Sequence, residues 1–400
     1  MEAVILAGGL GTRLRSVVSE VPKCMAPVDG KPFLQYMLEW LSRFDVSHVV
    51  LSVGYLREVI FAFIDSREWP FEISYAVEEE PLGTGGGIRL ALTKCREDRV
   101  IVLNGDTFFN VDLKALTFAA PVTLALKPMR DFDRYGAVDL AGGLVTGFHE
   151  KTACTEGLIN GGVYALVRSR LDLAFYPGRF SFEKDLLEPL AAARLVAGQV
   201  QEAYFIDIGI PEDYTRAQRE LPEIRAVLKA SDALLTVGAD TLLLDRDGVI
   251  NRWLPGDYVD SWEKFSFLPG ILESLREWAG HFRRIFLVTN QRGVGKGRMT
   301  QEQLETVHAR MRSEIAAAGG RIDGIYLCTA VSEDDPRRKP NRGMFDEILA
   351  AYPDVRPERT VMLGDSRYDR EFAANCGIGF VLMETAEITL RYQEAVSSDS

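Results

Sequence analysis

Ala3-Val-Ile-Leu-Ala-Gly-Gly-Leu-Gly-Thr-Arg13 is a short aliphatic run that breaks into glycines and ends on a cation. More than halfway along, Thr241-Leu-Leu-Leu-Asp245-Arg-Asp247-Gly-Val-Ile-Asn251 repeats the scheme with carboxylates in place of glycines. Apolar runs of this length that stop at polar residues read as buried strands, and open α/β sheets place their sites at the carboxyl ends of such strands. Working outward, Val49–Val53, Val100–Leu103, Val122–Leu126 and Tyr204–Ile206 read as strands of a first half. Thr241–Leu244, Ile285–Val288, Ile325–Leu327 and Thr360–Leu363 read as strands of a second. Helical patterns alternate with them, which predicts an α/β chain of two domains with mainly parallel sheets. Pro211–Ser231 reads as a charged helix opening on Pro-Glu-Asp, with acids favourable at its start. The boundary is expected near Ser231–Ala239, giving domains 1–230 and 239–390, and Val396–Ser400 as a frayed tail.

The bulk properties exclude several classes. Of 400 residues, 47% are hydrophobic and 26% charged, as in ordinary globular proteins, and the formal net charge of -12 argues against nucleic acid as a partner. No apolar run reaches the roughly 20 residues that span a bilayer, and no basic leader precedes Ala3, so neither a membrane nor a secretory signal is expected. Five scattered cysteines (24, 95, 154, 328, 376) suit a reducing, cytoplasmic setting. Homo-oligomer formation stays open.

Glycine lets backbone N–H groups come close to phosphate oxygens, and Arg13 adds charge. Leu6, Gly8, Gly9, Gly11, Thr12 and Arg13 are therefore candidates to cradle phosphates, although such a turn also serves as a plain tight connection. Pro22-Lys23-Cys-Met-Ala-Pro27 and Gly30-Lys31-Pro32 follow; alone, Lys23 reads as a surface lysine.

Together these stretches resemble the opening of the sugar-phosphate nucleotidyltransferase family, Gly-Gly-x-Gly-Thr-Arg-Leu followed by Pro-Lys and Gly-Lys-Pro. The likeness continues in order. Gly83-Thr84-Gly85-Gly86 matches a loop contacting base and ribose, and Asn104-Gly105-Asp106 ends a strand where the family places a metal-binding aspartate. Glu150-Lys151 matches the pair contacting the sugar and its phosphate, and Asn160-Gly161-Gly162 a sugar-contacting turn. Phe205-Ile-Asp207-Ile-Gly209 carries the second metal aspartate. The resemblance implies a Rossmann-like fold and a reaction in which a sugar 1-phosphate oxygen attacks the α-phosphate of a nucleoside triphosphate. Catalysis then consists mainly of aligning and neutralising two anions. Asp106 and Asp207 would hold Mg²⁺, Arg13 and Lys23 would steady the triphosphate, Gly83 and Thr84 would lie on the nucleotide, and Lys151 would hold the sugar phosphate. Leu14-Arg15-Ser16 lacks a proline that many relatives carry there. Gly8–Lys31 and Phe205–Tyr214 are most similar to guanylyltransferases for D-glycero-D-manno-heptose 1-phosphate, which implies GTP as the other substrate. Mannose-1-phosphate guanylyltransferases are the nearest competitor.

In the second half, a strand delivers Asp245 and Asp247 two residues apart. One can attack phosphorus while the other exchanges protons; a Mg²⁺ or Ca²⁺ loop without catalysis is the plainer reading. Thr289-Asn290-Gln291, Arg338-Lys339-Pro340 and Gly364-Asp365-Ser366 with Asp369 follow. The order is similar to the four motifs of the haloacid-dehalogenase (HAD) phosphatase superfamily, which implies a HAD-like Rossmannoid fold. By that likeness Asp245 is the nucleophile and Asp247 the acid and base. Thr289 and Asn290 bind the phosphoryl group, Arg338 and Lys339 neutralise it, and Asp365 with Asp245 and Asp247 holds Mg²⁺. Asp369 reads equally as an outer ligand or a structural residue. The Asp247-to-Thr289 spacing allows little or no cap, and Asn251–Trp262 is a candidate substrate loop, in which Trp253, Tyr258 and Trp262 either cover the substrate or pack. Heptose 1,7-bisphosphate phosphatases are the most similar members, with histidinol-phosphate phosphatases close. Those relatives usually carry a Cys/His zinc loop; here Cys328-Thr-Ala-Val-Ser-Glu-Asp-Asp-Pro336 offers one cysteine and no histidine, so no zinc is expected. His48, His149, His281 and His308 share no ligand-like spacing and read as surface or packing residues.

The two resemblances imply successive steps: removal of the 7-phosphate from heptose 1,7-bisphosphate, then coupling of heptose 1-phosphate to GTP. A mannose-1-phosphate guanylyltransferase joined to a broader phosphatase, or a nucleotide-sugar sensor with one silent half, are the alternatives.

Overall fold

Ala3, Val4 and Ile5 are wholly buried, and strand Glu2–Leu6 accordingly runs through the interior of a nine-stranded sheet. The computed structural model describes residues 1–9, 14, 18 and 20–385, which fall into two units, Met1–Arg219 and Glu220–Ser400. In the first unit the strand order is Glu72–Val77, His48–Val53, Glu2–Leu6, Arg99–Asn104, Cys154–Val167, Val122–Phe132, Val196–Val200, Leu144–Phe148 and Val138–Ala141. The first four run parallel, and Val196–Val200 is parallel to Val122–Phe132. Cys154–Val167 is antiparallel to both of its neighbours, and Leu144–Phe148 to both of its own. The expectation of a mainly parallel sheet is therefore corrected here: the sheet is mixed, because strands joined by short turns, such as Val138–Ala141 and Leu144–Phe148, can only return antiparallel.

Register sets the site. Leu6 pairs with Asn104, and Gly105 N–H donates to Leu6 O at 3.1 Å, so the two strands end together. A Cβ at Gly105 would lie 2.3 Å from Leu6 O, so only glycine allows this approach. A two-stranded ribbon then pairs Asp207 with Thr107, which sets Asp207 beside Asp106.

The second unit holds a five-stranded, wholly parallel sheet in the order Gly324–Cys328, Arg284–Asn290, Thr241–Leu244, Thr360–Gly364, Gly379–Leu382. Leu244 pairs with both Leu287 and Leu363, so Asp245, Thr289 and Asp365 leave the sheet along one edge. Apolar side chains cover both faces, Leu242, Leu244 and Trp278 on one, Leu243, Phe286 and Phe372 on the other. That is why the central strands read as unbroken aliphatic runs rather than alternating ones.

Helix Pro211–Thr236 crosses the division between the units. Its first turns belong to the first unit, where Gln218 Nε2 donates to Pro27 O at 2.9 Å and Asp213 pairs with Arg134 at 2.8 Å. From Glu220 onward it packs with the second: Ala226, Val227, Ala230 and Leu234 lie in that core, and Trp278 Nε1 donates to Ser231 Oγ at 2.9 Å. The division between the two compact units falls inside this helix, between Arg219 and Glu220. A helix of this composition looks solvated because its apolar residues form only a narrow stripe. Among the described residues no helix is long and apolar enough to cross a membrane.

Candidate active sites

In the first unit, Lys23 Nζ lies 2.5 Å from Asp106 Oδ2 and 3.6 Å from Asp207 Oδ1, so three residues far apart in sequence form one charged cluster. Burial, reinforced by the charge of Asp106, raises the Asp207 carboxyl above its ordinary range, with Lys23 and the Gly209 amide opposing. Gly11, Thr12 and Arg13 lie outside the described residues. Leu6, Gly8 and Gly9 lead out of the strand at the same sheet edge.

Two local expectations change shape. Gly83-Thr84-Gly85-Gly86 forms the first turn of helix Gly83–Leu92 rather than a loop. The backbone of this turn presses on residues 178–182: Gly85 N–H donates to Phe180 O at 3.1 Å, and Thr84 Oγ1 accepts from Phe182 N at 2.9 Å. Asn160-Gly161-Gly162 is a register break inside strand Cys154–Val167, not a turn between strands. There Asn160 Nδ2 donates to Tyr164 OH at 2.9 Å and to Glu183 Oε1 at 3.3 Å. Burial raises Glu183 above the usual carboxylate range, with Lys151 pulling the other way. Glu150 and Lys151 are exposed at the rim. Glu183 was missed in the sequence because Ser-Phe-Glu-Lys-Asp185 looks like any helix start; only the fold brings it to Asn160.

In the second unit, the strand ends surround a cleft of about 890 Å³. Lys339, 2% exposed, sits in its floor, with Nζ 3.0 Å from Asp245 Oδ1, 2.5 Å from Asp369 Oδ1 and 2.9 Å from Val288 O. Asn290 fixes the Lys339 backbone by two 3.0 Å bonds, its Nδ2 donating to Lys339 O and its Oδ1 accepting from Lys339 N. Arg338 is buried and donates to Ala330 O at 3.1 Å, which ties down the loop after Cys328. Burial drives the Asp245 carboxyl up to about 6, with Lys339 opposing and Asp369 and Asp247 reinforcing. Asp247 behaves oppositely. Burial again works to raise it, but Arg246, then hydrogen bonds from Asn251, Arg246 and Gln291, outweigh that and hold it below the ordinary range. Gln291 Nε2 donates to Asp247 Oδ2 at 2.9 Å and to Thr289 Oγ1 at 3.0 Å, which joins the expected Thr289 to the same network.

Asp245, Asp365 and Asp369 each bring a carboxylate oxygen within 4.8 Å of the others, a group that could hold a metal. Gly248 makes this possible: its φ is +90°, and a Cβ there would lie 2.0 Å from Asp365 Oδ2. Asp369 is already engaged through both oxygens, Oδ1 by Lys339 and Oδ2 by Ser366 Oγ at 2.6 Å, where Ser366 caps helix Arg367–Cys376. Trp253 and Tyr258 line the cleft, as do Arg292, Lys296, Arg298 and Arg367. Trp262 does not; it stacks on Phe265 at 4.7 Å.

Comparison with known proteins matches residues 2–224 to the nucleotidyl transferase family and residues 336–395 to a HAD-hydrolase-like family. The D-glycero-alpha-D-manno-heptose 1-phosphate guanylyltransferase of Aneurinibacillus thermoaerophilus is 48% identical over 226 residues, covering 55% of this chain and 98% of its own length. The D-glycero-alpha-D-manno-heptose-1,7-bisphosphate 7-phosphatase of Mycobacterium tuberculosis is 41% identical over 138 residues, covering 34% of this chain and 71% of its own. The crystal structure of HddC from Yersinia pseudotuberculosis superposes with a TM-score of 0.50 at 38% identity, over 54% of this chain and 97% of that one. With more than half of its residues matched by the nucleotidyl transferase model and a separate, wholly parallel sheet bearing the Asp245 cleft, the chain belongs to the nucleotidyl transferase family and carries a HAD-type phosphatase region after it.

Proposed function

We propose that this chain is a bifunctional enzyme of GDP-D-glycero-α-D-manno-heptose synthesis. The second unit removes the 7-phosphate of heptose 1,7-bisphosphate, and the first couples the resulting heptose 1-phosphate to GTP with release of pyrophosphate. The carrying observation is that each half aligns with a different enzyme of this chemistry, over 98% of the guanylyltransferase and 71% of the phosphatase. The phosphatase product is the transferase substrate.

In the phosphatase reaction, an Asp245 oxygen attacks phosphorus, the bond to the C7 oxygen breaks, and Asp247 supplies the proton that the departing alkoxide needs. Asp247 rests ionised among its donors; the dianionic phosphate arriving beside it raises its proton affinity, so that it takes up a proton from solvent before the alkoxide departs. Asp247 then takes a proton from water, whose oxygen displaces Asp245 and frees phosphate. Lys339 neutralises charge at the phosphoryl group, and Thr289 and Asn290 place it. Asp245, Asp365 and the backbone of Asp247 suit Mg²⁺, a hard cation that prefers oxygen donors, while Asp369 is committed to Lys339 and Ser366. Bound Mg²⁺ would add positive charge against the phosphoryl oxygens. Arg292, Lys296 and Arg298 on the cleft wall are suited to the second phosphate of a bisphosphate.

In the transferase, Asp106 and Asp207 suit a second Mg²⁺, Lys23 beside them is suited to the triphosphate, and Gly8, Gly9, Gly83 and Thr84 to the nucleotide; the likeness to the family assigns Arg13 to the triphosphate and Gly11 and Thr12 to the nucleotide as well. Glu183 and Asn160 accept and donate hydrogen bonds to sugar hydroxyls, with Glu150, Lys151 and Gly161 beside them. Choice of guanine rests on the likeness to relatives. The unpaired cysteines fit a reducing, cytoplasmic setting.

The test is one coupled assay with Mg²⁺, GTP and heptose 1,7-bisphosphate, following phosphate, pyrophosphate and nucleotide sugar, with mannose 1-phosphate as a competing acceptor. All three products are expected. Phosphate without nucleotide sugar, or mannose 1-phosphate preferred over the heptose, overturns the assignment of the first unit.

A further inference from the structure

Arg246 stands between the two carboxylates of the Asp-Arg-Asp run, and only 1% of it is exposed. A buried guanidinium must find acceptors for its five donors and has no acceptor of its own. Nε lies 3.2 Å from Asp247 Oδ1, and Nη2 lies 2.9 Å from both Asp247 oxygens. Nη1 goes the other way, to His308 Nε2 at 3.1 Å. Because arginine only donates, Nε2 must hold the lone pair, and the neutral ring carries its proton on Nδ1. Burial, then the adjacent Arg246 charge, pushes the imidazole down to about 3, which keeps it neutral at working pH.

His308 itself does not reach the cleft. It sits, 4% exposed, on helix Gln301–Ala317, whose Val307, Met311 and Ile315 are locked in the core of the second unit. A capping box between Thr300 and Gln303 fixes the start of that helix. The chain of contacts therefore runs from a rigid helix through His308 and Arg246 to both oxygens of Asp247. Asn251 at 2.9 Å from Oδ1 and Gln291 at 2.9 Å from Oδ2 flank the same carboxylate but come from the loop side.

We propose that His308 is a positioning residue of the phosphatase, an acceptor that holds the Arg246 guanidinium so that Asp247 meets the leaving oxygen, and later water, in one orientation. This rests on the reading of Asp247 as the proton carrier. A histidine that merely filled the core would be replaceable by any side chain of similar volume; one that positions Arg246 is replaceable only by another acceptor at the Nε2 place.

The test compares His308→Gln, whose amide oxygen can reach that place, with His308→Leu, which fills the volume without an acceptor, and His308→Asn, whose amide stops short. All are made in the full chain, with nucleotidyl transfer and thermal unfolding as checks on the fold. His308→Leu should lose about 10- to 100-fold in kcat for phosphate release, with KM within about twofold, since small misplacement of a reacting group costs this much. His308→Gln should recover most of kcat, and His308→Asn should not. If His308→Leu does not fold, the Gln and Asn pair decides. Wild-type kcat in the Leu variant, or equal loss in Gln and Asn, overturns the proposal. Asp247→Asn separates the layers: if it still turns over, the proton-carrier reading fails; if it is dead while His308→Leu is fully active, only the positioning role fails.

Discussion

His308 should make the second unit acid-labile by a calculable amount. In the unfolded chain its imidazole takes a proton at the ordinary 6.5; in the fold that value falls to about 3. Between these values the unfolded state binds more protons than the folded one, so stability rises with pH. The contribution is fully present above pH 6.5 and is lost as pH falls toward 3. At pH 5 the unfolded ring is protonated and the folded ring is not, a difference of about 1.5 pH units of linkage, or about 2 kcal/mol at about 1.36 kcal/mol per unit. Against a typical domain stability of about 5–15 kcal/mol this is readily measured. The perturbation is His308→Gln, which removes the titration and keeps an acceptor. The assay is native-state hydrogen exchange of strand Thr241–Leu244, whose amides exchange only when the second core opens. Wild type and variant are compared at pH 8 and pH 5, so groups common to both cancel. The stability difference should shift by about 2 kcal/mol in favour of the variant at pH 5. An unchanged difference would refute a neutral, lone-pair-accepting His308.

Four further outcomes are expected. Asp106→Ala should abolish nucleotidyl transfer and spare phosphate release, and Asp245→Asn should do the reverse; loss of both activities in either variant would contradict independent sites. Leu234→Ala should cost about 2–5 kcal/mol in the second unit alone, because it empties a fully buried core position; calorimetry showing no loss there would remove the helix from that core. Asp245 takes up a proton near pH 6 in the metal-free enzyme, so Mg²⁺ must displace it below that value. The Mg²⁺ concentration for half-maximal phosphatase activity should therefore rise about fivefold from pH 6 to pH 5, and a flat response would dismiss the raised carboxyl. Replacing Arg292 and Arg298 together by alanine should raise KM for the bisphosphate about tenfold or more, because each offers a charge-assisted contact to the remote phosphate, yet leave a sugar monophosphate unaffected; equal effects on both would place these cations elsewhere.

Legibility in the sequence followed depth of burial and regularity. Thr241–Leu244 and Thr360–Gly364 are buried on both faces, so their aliphatic runs stood out and their polar ends pointed at the cleft. Cys154–Val167 was invisible as a strand: its first half is mostly only half-buried, and Gly157, Gly161 and Gly162 break any period while making room for a register shift. Helix Pro211–Thr236 was found as far as Ser231, but the stripe Ala226, Val227, Ala230, Leu234 that binds it to the second core was hidden among charges. The motif aspartates and Lys339 were read through their resemblance to family motifs that lie in the same order along the chain. Glu183 and His308 could not be, because their partners, Asn160 and Arg246, lie 23 and 62 positions away and meet them only through helix packing.

Both units set a lysine between two aspartates, and depth separates what the two arrangements can do. Around Lys23 the Asp106 and Asp207 side chains are 38% and 29% exposed; around Lys339 the Asp245 and Asp369 side chains are 13% and 0% exposed. The open arrangement suits nucleotidyl transfer, where no protein atom bonds to phosphorus and the task is to neutralise anions that arrive from solvent. On the mechanism proposed above the buried one must do more, because Asp245 has to react and Asp247 has to carry a proton. Burial raises both Asp245 and Asp247, so burial alone would give two sluggish acids. Arg246, Asn251 and Gln291 all donate to Asp247 and none of them to Asp245, so at rest Asp247 is the more readily ionised of the two, the reverse of what a proton donor beside a nucleophile needs. The phosphate that arrives with substrate would raise Asp247, and a bound cation would lower Asp245, so substrate and Mg²⁺ together would invert that order. A phosphatase-like domain that kept the aspartates but lost the buried Arg246–His308 contact would be expected to bind Mg²⁺ and phosphate while turning over poorly.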